Sequence, residues 1–448
     1  MKVDNQTLRD LEVLPDASTS ATLVDRLDRT VTRGGRSVLA RRLRSPLTSP
    51  EEIHEVQAAL RFLSDEHRRA LPLPEEHEIA AVVRYVDSNL GTLRSLRGPR
   101  SWWEAVSVRV RYPQHYEAAM KGSSLVRSFI ARMERIQKSL EEGPTLLSRF
   151  AVQIEESTST PALKEGVLSV REGWVGHGIL RSDRLLRGEA REEIRKLVVL
   201  VHELDALLSM ARAGTELGLS LPEFTSESQG FRFDGLWHPF LDDPVENDLV
   251  LENEERVIFL TGPNMAGKTT YLKACGVAVL LAHCGMGVPA RKASIPPLAR
   301  LITAVRTEDN LWEGVSYFQA EARRVRRILD EVAGGGPCLV IVDELFRGTN
   351  VKDAFDATTA VLRGFAKIRD SRFLVASHLT EVAEELKDLR SVLLRHFEAS
   401  SVNGKVAFSY RVAPGLSSQR LGMEVLRREG VLEALEALDP ADETDRPR

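Results

Sequence analysis

Eight consecutive residues, Gly262-Pro263-Asn264-Met265-Ala266-Gly267-Lys268-Thr269, have the spacing G-x-x-x-x-G-K-[ST] of a loop that cradles phosphates. Glycines at both ends let successive backbone N–H groups turn inward on a polyphosphate, and a helix opening near Gly267 adds its positive end. In that arrangement Lys268 reaches the outer phosphates and the Thr269 hydroxyl ligates Mg2+. Further along, the apolar run CLVIVDE (338–344) ends in Asp343 and Glu344. Asp343 at such a strand end can hold a Mg2+-bound water, and Glu344 beside it can orient or deprotonate the attacking water. An adjacent glutamate favours hydrolysis over phosphate transfer to a substrate hydroxyl. His378, following RFLVAS (372–377), stands where it could reach a terminal phosphate from the sheet edge, although an isolated histidine is more often structural.

These residues need a scaffold of alternating strands and helices, and the second half of the chain supplies the pattern. RVIFL (256–260), ARLITAV (299–305), CLVIV (338–342) and RFLVA (372–376) read as strands, with helices beginning near Gly267, Tyr317 and Asp353. SVLLRHFEA and KVAFSYRVA flank Asn403-Gly404 and predict a hairpin. The expectation is an α/β domain over 236–448, closed by a short helix, VLEALEAL, and a polar tail.

Residues 1–235 read as helical. Ser49-Pro50-Glu51-Glu52 places a cap, a first-turn proline and a glutamate three after the cap ahead of EEIHEVQAALRFL. Ile194, Leu197, Val201, Leu204, Leu208 and Ala211 step by threes and fours within a helix expected over 186–213, about 42 Å long if straight. Phe129, Met133, Ile136 and Leu140 repeat the pattern, so two long helices packed on each other are expected to form an arm. No strand-rich segment competes before residue 230.

With 448 residues, 28% charged and 43% hydrophobic, the chain has the composition of a soluble globular protein of two or three domains, which excludes wholesale disorder. The net charge of −4 hides an asymmetry: residues 1–200 carry 32 Lys+Arg against 28 Asp+Glu, the remainder 29 against 37. A polyanionic partner would favour the first part, although so small an excess is also that of an ordinary solvated surface. Cys275, Cys284 and Cys338 lack metal-ligand spacing and fall in apolar runs, which fits buried thiols in a reducing cytoplasm. Neither a membrane span nor a signal peptide is read from the sequence.

TGPNMAGKTTYLKACG, GVSYFQAEARRV, DELFRGTNVKDA and ASHLTEV, in this order and spacing, resemble the ATPase domain of the MutS family, of the ABC-type P-loop superfamily. WHPFLDDPVENDLVL and LDRTVTRGGRSVLARRLRSPLTSPEEIHEVQAALRFL resemble further MutS segments, so the likeness covers nearly the whole chain. The resemblance implies an all-α core and lever domain before an α/β P-loop ATPase that uses ATP and Mg2+ in a homodimer. It implies nucleotide contacts from Gly262 through Thr269 and from Thr270, metal contacts from Thr269 and Asp343, Glu344 as the water-activating residue and His378 as a γ-phosphate sensor. Ser316, in GVSYF, would contact the nucleotide of the opposite subunit; its plainer alternative is the N-cap of the following helix. Arg347 is equally readable as a surface loop residue.

Departures from the family pattern carry expectations too. Phe346-Arg347 replaces the usual glycine-arginine pair, and Asn350 stands where a serine is typical. Pro244 and Val245 stand where an aromatic usually stacks on adenine, so weak retention of the base is expected. No mismatch-reading wedge, DNA-embracing clamp or Smr nuclease segment is recognised, and only EGWVGHGILRSDRLLRG separates residue 171 from the helix near Leu186. LRSLRGPRSWWEAVSVRVRYPQHY interleaves Arg94, Arg97, Arg100, Arg109 and Arg111 with Trp102, Trp103 and Tyr112. That stretch could bind phosphates and stack bases; the favoured reading packs both tryptophans in the helical core. The leading expectation is an ATPase that moves helical arms on DNA, weakly bound and without mismatch reading. An ATP-driven protein-interaction switch is the alternative, and a P-loop kinase the third reading.

Overall fold

The computed structural model describes residues 1–15, 21–65, 71–89, 99–169, 175–225, 230–305, 317–346, 349–402, 405–416, 427 and 430–438. The chain opens with β1 (Lys2–Val3), α1 (Asn5–Asp10), α2 (Leu23–Leu27), α3 (Arg33–Arg44), α4 (Pro50–Leu63) and α5 (Glu76–Val86). The helical half continues with α6 (Pro99–Arg111), α7 (Pro113–Leu140), α8 (Thr145–Thr158), α9 (Pro161–Leu168), α10 (Val175–Arg187) and α11 (Arg191–Glu216). There follow β2 (Glu223–Phe224), β3 (Phe231–Leu236), β4 (Asn247–Leu251), β5 (Val257–Thr261), α12 (Lys268–His283), β6 (Lys292–Ile295) and β7 (Arg300–Ala304). The series closes with α13 (Tyr317–Ala333), β8 (Cys338–Asp343), α14 (Val351–Phe365), β9 (Ser371–Ala376), α15 (Glu381–Leu386), β10 (Val392–Val402), β11 (Lys405–Pro414) and α16 (Val431–Leu438).

Seven strands form one mixed sheet in the order β1-β7-β8-β9-β5-β10-β11, parallel throughout except for the final β10–β11 hairpin. Its central strands are buried on both faces, as parallel strands covered by crossover helices must be. Alternate residues part company: Ile258, Leu260, Leu339, Ile341 and Leu374 face one core cluster, while Val257, Phe259, Val340, Val342 and Phe373 face another. The first cluster runs without a break through α12 into the helical half. Helix α12 is accordingly apolar nearly all round, being pressed between the sheet and the helices of the first half. A second sheet, β2-β6-β3-β4, borders this block.

Two features cross the expected division at residue 235. Strand β3 spans it, and β1 leaves the helical half to pair with β7 on the edge of the large sheet. Helix α1 follows β1 there: the Asp10 carboxylate accepts from the Thr303 hydroxyl at 2.7 Å and from the Val305 N–H at 2.9 Å.

In the helical half, Ser49 caps α4 with Pro50 in its first turn, as the sequence predicts. The helix expected over 186–213 breaks at Gly188 into the end of α10 and the long α11. The two-helix arm is corrected: α7 packs chiefly on α8, α10 and α5, whereas α11 packs chiefly on α3, α4 and α8. The heptad-like spacing of both helices serves several neighbours, because each carries a broad apolar face rather than a narrow seam. Asp205 of α11 fixes the entry to α3, accepting from the N–H groups of Val31 and Thr32 and from the Thr32 hydroxyl. Any side chain at Gly35 would collide with that carboxylate, a Cβ there lying 2.2 Å from Oδ2.

The packing expected for Trp103 is corrected as well. Trp103 is 70% exposed, while Ala105 and Val108 on the opposite side of α6 pack against α7 and α10. The side chain of Trp102, and residues 94 and 97, lie outside the described residues. Among the described residues no helix is long and apolar enough to cross a membrane.

Candidate functional site

Loop 262–267 leaves the carboxyl end of β5 and turns into α12. Its geometry depends on φ angles of +141° at Gly262 and +106° at Gly267, which a β-carbon disfavours. A Cβ at Gly262 would also press within 3.3 Å of the β10 backbone at Phe397. Met265 takes φ +67° without being glycine. Ala266 is buried under the loop and anchors it, while Met265 projects outward. The Lys268 ammonium folds back over the loop, donating to the carbonyl oxygens of Gly262 at 2.7 Å and Pro263 at 3.0 Å. A cation is thereby held in a cradle of backbone N–H groups and the amino end of α12, a setting suited to a polyanion.

Acidic groups converge from neighbouring strands. The Thr269 hydroxyl donates to Oδ2 of Asp343 at the end of β8. Glu344, next in the chain, adopts φ +59°, and its N–H donates to the carbonyl of Ala376 at the end of β9. That turn brings Oε2 of Glu344 to 3.3 Å from Nδ1 of His378, with the carboxylate buried and the imidazole half exposed. Phe346 also sits at positive φ, buried against Phe318 of α13 with ring centroids 5.2 Å apart. A bulky apolar side chain therefore occupies the place where the family pattern has glycine.

The loop and Glu344 open into a cavity of about 470 Å3 lined by Asn264, Met265, Lys268, Thr269, Thr270 and Glu344 among others. Val245 lines it too, as does an aromatic that the sequence reading missed, Tyr410 of β11. Tyr410 stands at φ +55°, where a non-glycine residue is strained, and its half-exposed ring lies beside Gly267. The Asn247 side chain holds this conformation from both sides, donating to the Tyr410 carbonyl at 2.9 Å and accepting from the Val412 N–H at 2.7 Å. Trp237 and His238 form another wall, where burial pushes the imidazole of His238 down to about 4. The only local signal for Tyr410 is an aromatic in a strand, which most strands contain.

The predicted residues from Gly262 to Thr270 thus meet Asp343, Glu344 and His378 in one place. Ser316 and Arg347 lie outside the described residues. Asn350 is the N-cap of α14, its side chain accepting from the Asp353 N–H, a task that serine also performs.

The site is a strand–glycine loop–helix cradle for an anion, bordered by a hydroxyl–carboxylate pair and a carboxylate–imidazole pair. Residues 258–439 match the family described as MutS domain V, and residues 6–211 match MutS domain III. The DNA mismatch repair protein MutS of Chlorobium phaeobacteroides is 30% identical over 313 residues, covering 67% of this chain and 35% of that protein. The DNA mismatch repair protein MutS of Natronomonas pharaonis is 29% identical over 411 residues, covering 89% of this chain and 47% of that protein. The chain belongs to the MutS family. It spans less than half the length of either relative.

Proposed function

We propose that the α/β half is a P-loop ATPase of ABC type, which binds ATP with Mg2+ at loop 262–267 and hydrolyses it. The supporting observation is one cavity lined by Lys268, Thr269 and Glu344, with Asp343 bonded to Thr269 and His378 beside Glu344. Backbone N–H groups of Gly262, Asn264, Met265, Ala266 and Gly267 take the phosphates, Pro263 having no N–H and only shaping the loop, and Lys268 exchanges loop carbonyls for phosphate oxygens. Thr270 lies in the first turn of α12 and lines the same cavity. Tyr410 supplies the stacking face that Pro244 and Val245 lack.

The donor set fits Mg2+: a hydroxyl and a carboxylate, both hard oxygen ligands, already touch, and phosphate oxygens and waters would complete the shell. Thr269 and Asp343 would hold Mg2+, which would supply positive charge against the phosphates. Glu344 holds the attacking water and draws off its proton, and His378 donates to the γ-phosphate from the exposed side. The buried setting of Glu344 keeps competing solvent away from its carboxylate.

The wider reading is a homodimer in which Ser316 reaches the partner's nucleotide and ATP state moves the helical half. The unbroken core from the sheet through α12 into the helices supports it, because a shift of α12 must be felt there. The substrate in this reading is DNA or a DNA-bound complex, without reading of mispairs. A cytoplasmic setting belongs to the same proposal, the three cysteines being buried free thiols.

Phosphate release should be measured with and without duplex, single-stranded and branched DNA at one salt concentration. Mg2+-dependent turnover that DNA accelerates is the expected result. No turnover would overturn the ATPase reading, and turnover indifferent to every DNA would point to a protein-interaction switch.

A further inference from the structure

Helix α6 is apolar on two opposite sides. Ala105 and Val108 meet Ala119 and Tyr116 of α7 and Ile179 and Leu180 of α10. Trp103, Val106 and Val110, spaced by three and four, form a second stripe on the far side with nothing over it among the described residues: Trp103 is 70% and Val110 74% exposed. A tryptophan that leaves most of its ring in water forgoes one of the largest burial gains of any side chain.

The charges beside the stripe limit what can cover it. Arg109 and Arg111 stand two residues apart, hence about 200° apart around the helix, one on each flank of the stripe. Neither has a carboxylate partner among the described residues; Arg109 lies over the Tyr116 ring at 5.5 Å. Several arginines elsewhere in this half are paired, Arg132 with Glu78, Arg187 with Asp183, and Arg191 and Arg195 with Asp87. An occupant must therefore offer a flat apolar face with negative charge on either side. A second copy of the same stripe would set arginine against arginine.

We propose that this face of α6 binds single-stranded nucleic acid, an unpaired base stacking on Trp103 while Arg109 and Arg111 hold the flanking phosphates. The proposal deepens the DNA reading above and rests on it for its biological meaning, but not for its test. Stacked bases inside a duplex hide their faces, so the site discriminates for unpaired segments without reading sequence.

The test is fluorescence anisotropy with a labelled oligothymidylate of about twenty nucleotides and a blunt duplex of equal length, at low and physiological salt. The single strand should bind more tightly than the duplex. Trp103→Ala should weaken it by about 5- to 150-fold, the range of one lost base stack, and Trp103→Phe should restore most of the affinity. Arg109→Gln with Arg111→Gln should lower the slope of log affinity against log salt by about 1.4, two single-strand phosphate contacts. DNA-free ATP turnover should be unchanged in all variants, since none of these residues lines the nucleotide cavity. Wild-type affinity in Trp103→Ala, or binding to anionic vesicles but not to the oligonucleotide, overturns the proposal while leaving the ATPase reading intact. Strand binding through Trp103 in a protein without ATP turnover would sink the ATPase reading instead.

Discussion

The hydroxyl of Thr269 donates to Oδ2 of Asp343 across 2.5 Å, tying the first turn of α12 to the carboxyl end of β8. The phosphate loop and the acidic strand end are thereby tied together, and the proposed Mg2+ would meet two oxygens already side by side. Chelation of Mg2+ should stop turnover. Thr269→Val should raise the Mg2+ concentration needed for half-maximal phosphate release by about 10- to 150-fold, as expected for losing one polar contact to a charge. Thr269→Ser, which keeps the hydroxyl, should stay near wild type.

Lys268 and Glu344 share the cavity but touch different atoms of the proposed substrate. Lys268→Ala should abolish tight nucleotide binding. Glu344→Gln should bind nucleotide normally while phosphate release falls by about 10²- to 10⁴-fold, the usual worth of a general base. Nucleotide titration and phosphate release on both variants check this, and equal loss of affinity in the two contradicts the assignment.

Holding ATP unhydrolysed should also capture the dimer. Sedimentation of Glu344→Gln with ATP and Mg2+ is expected to show two protomers. A strict monomer, alongside normal wild-type hydrolysis, would remove the role proposed for Ser316 across the interface.

Tyr410 pays for its position in backbone strain, and Asn247 keeps it there. Tyr410→Ala should lower ATP affinity about 2- to 10-fold, the range of one aromatic contact. Tyr410→Gly should lose the same affinity with thermal stability equal to or above wild type, because glycine accepts the left-handed φ freely. Asn247→Ala should mimic the affinity loss without touching the ring.

Acid sensitivity should centre on the contact between α12 and the helical half. The Leu298 N–H donates to Nε2 of His283, so Nδ1 carries the proton and donates to the Leu47 carbonyl at 3.1 Å. Burial pushes this ring down to about 4 from 6.5, and His238 likewise to about 4. Between those values the unfolded chain takes up protons that the folded chain refuses, so stability is complete above about pH 6.5 and is lost as pH falls towards about 4. Melting temperature should drop across that window, and His283→Gln should make the drop shallower.

Chemistry that depends on neighbours in the chain was legible from residues alone. The spacing of Gly262, Gly267, Lys268 and Thr269 determines the loop because glycine backbones and a helix start act locally, and a short continuous apolar run marks β8 up to Asp343. The likeness to MutS segments rests on the same local runs. The hairpin strands pair as expected, Val402 opposite Lys405, with the Asn403-Gly404 turn outside the described residues.

Contacts between distant segments were decided only by tertiary packing. Asn247 and Tyr410 meet because β4 and β11 come from different sheets that close on one cavity, and no periodicity records such a meeting. His283 bonds to Leu47, and β1 pairs with β7, across the boundary that composition suggests at residue 235. Apolar residues on α6 announce burial equally on both sides, yet among the described residues Ala105 and Val108 are packed against α7 and α10 while Trp103 stays exposed. A side chain's character states what it would gain by burial; which surface arrives to cover it depends on how every other element packs.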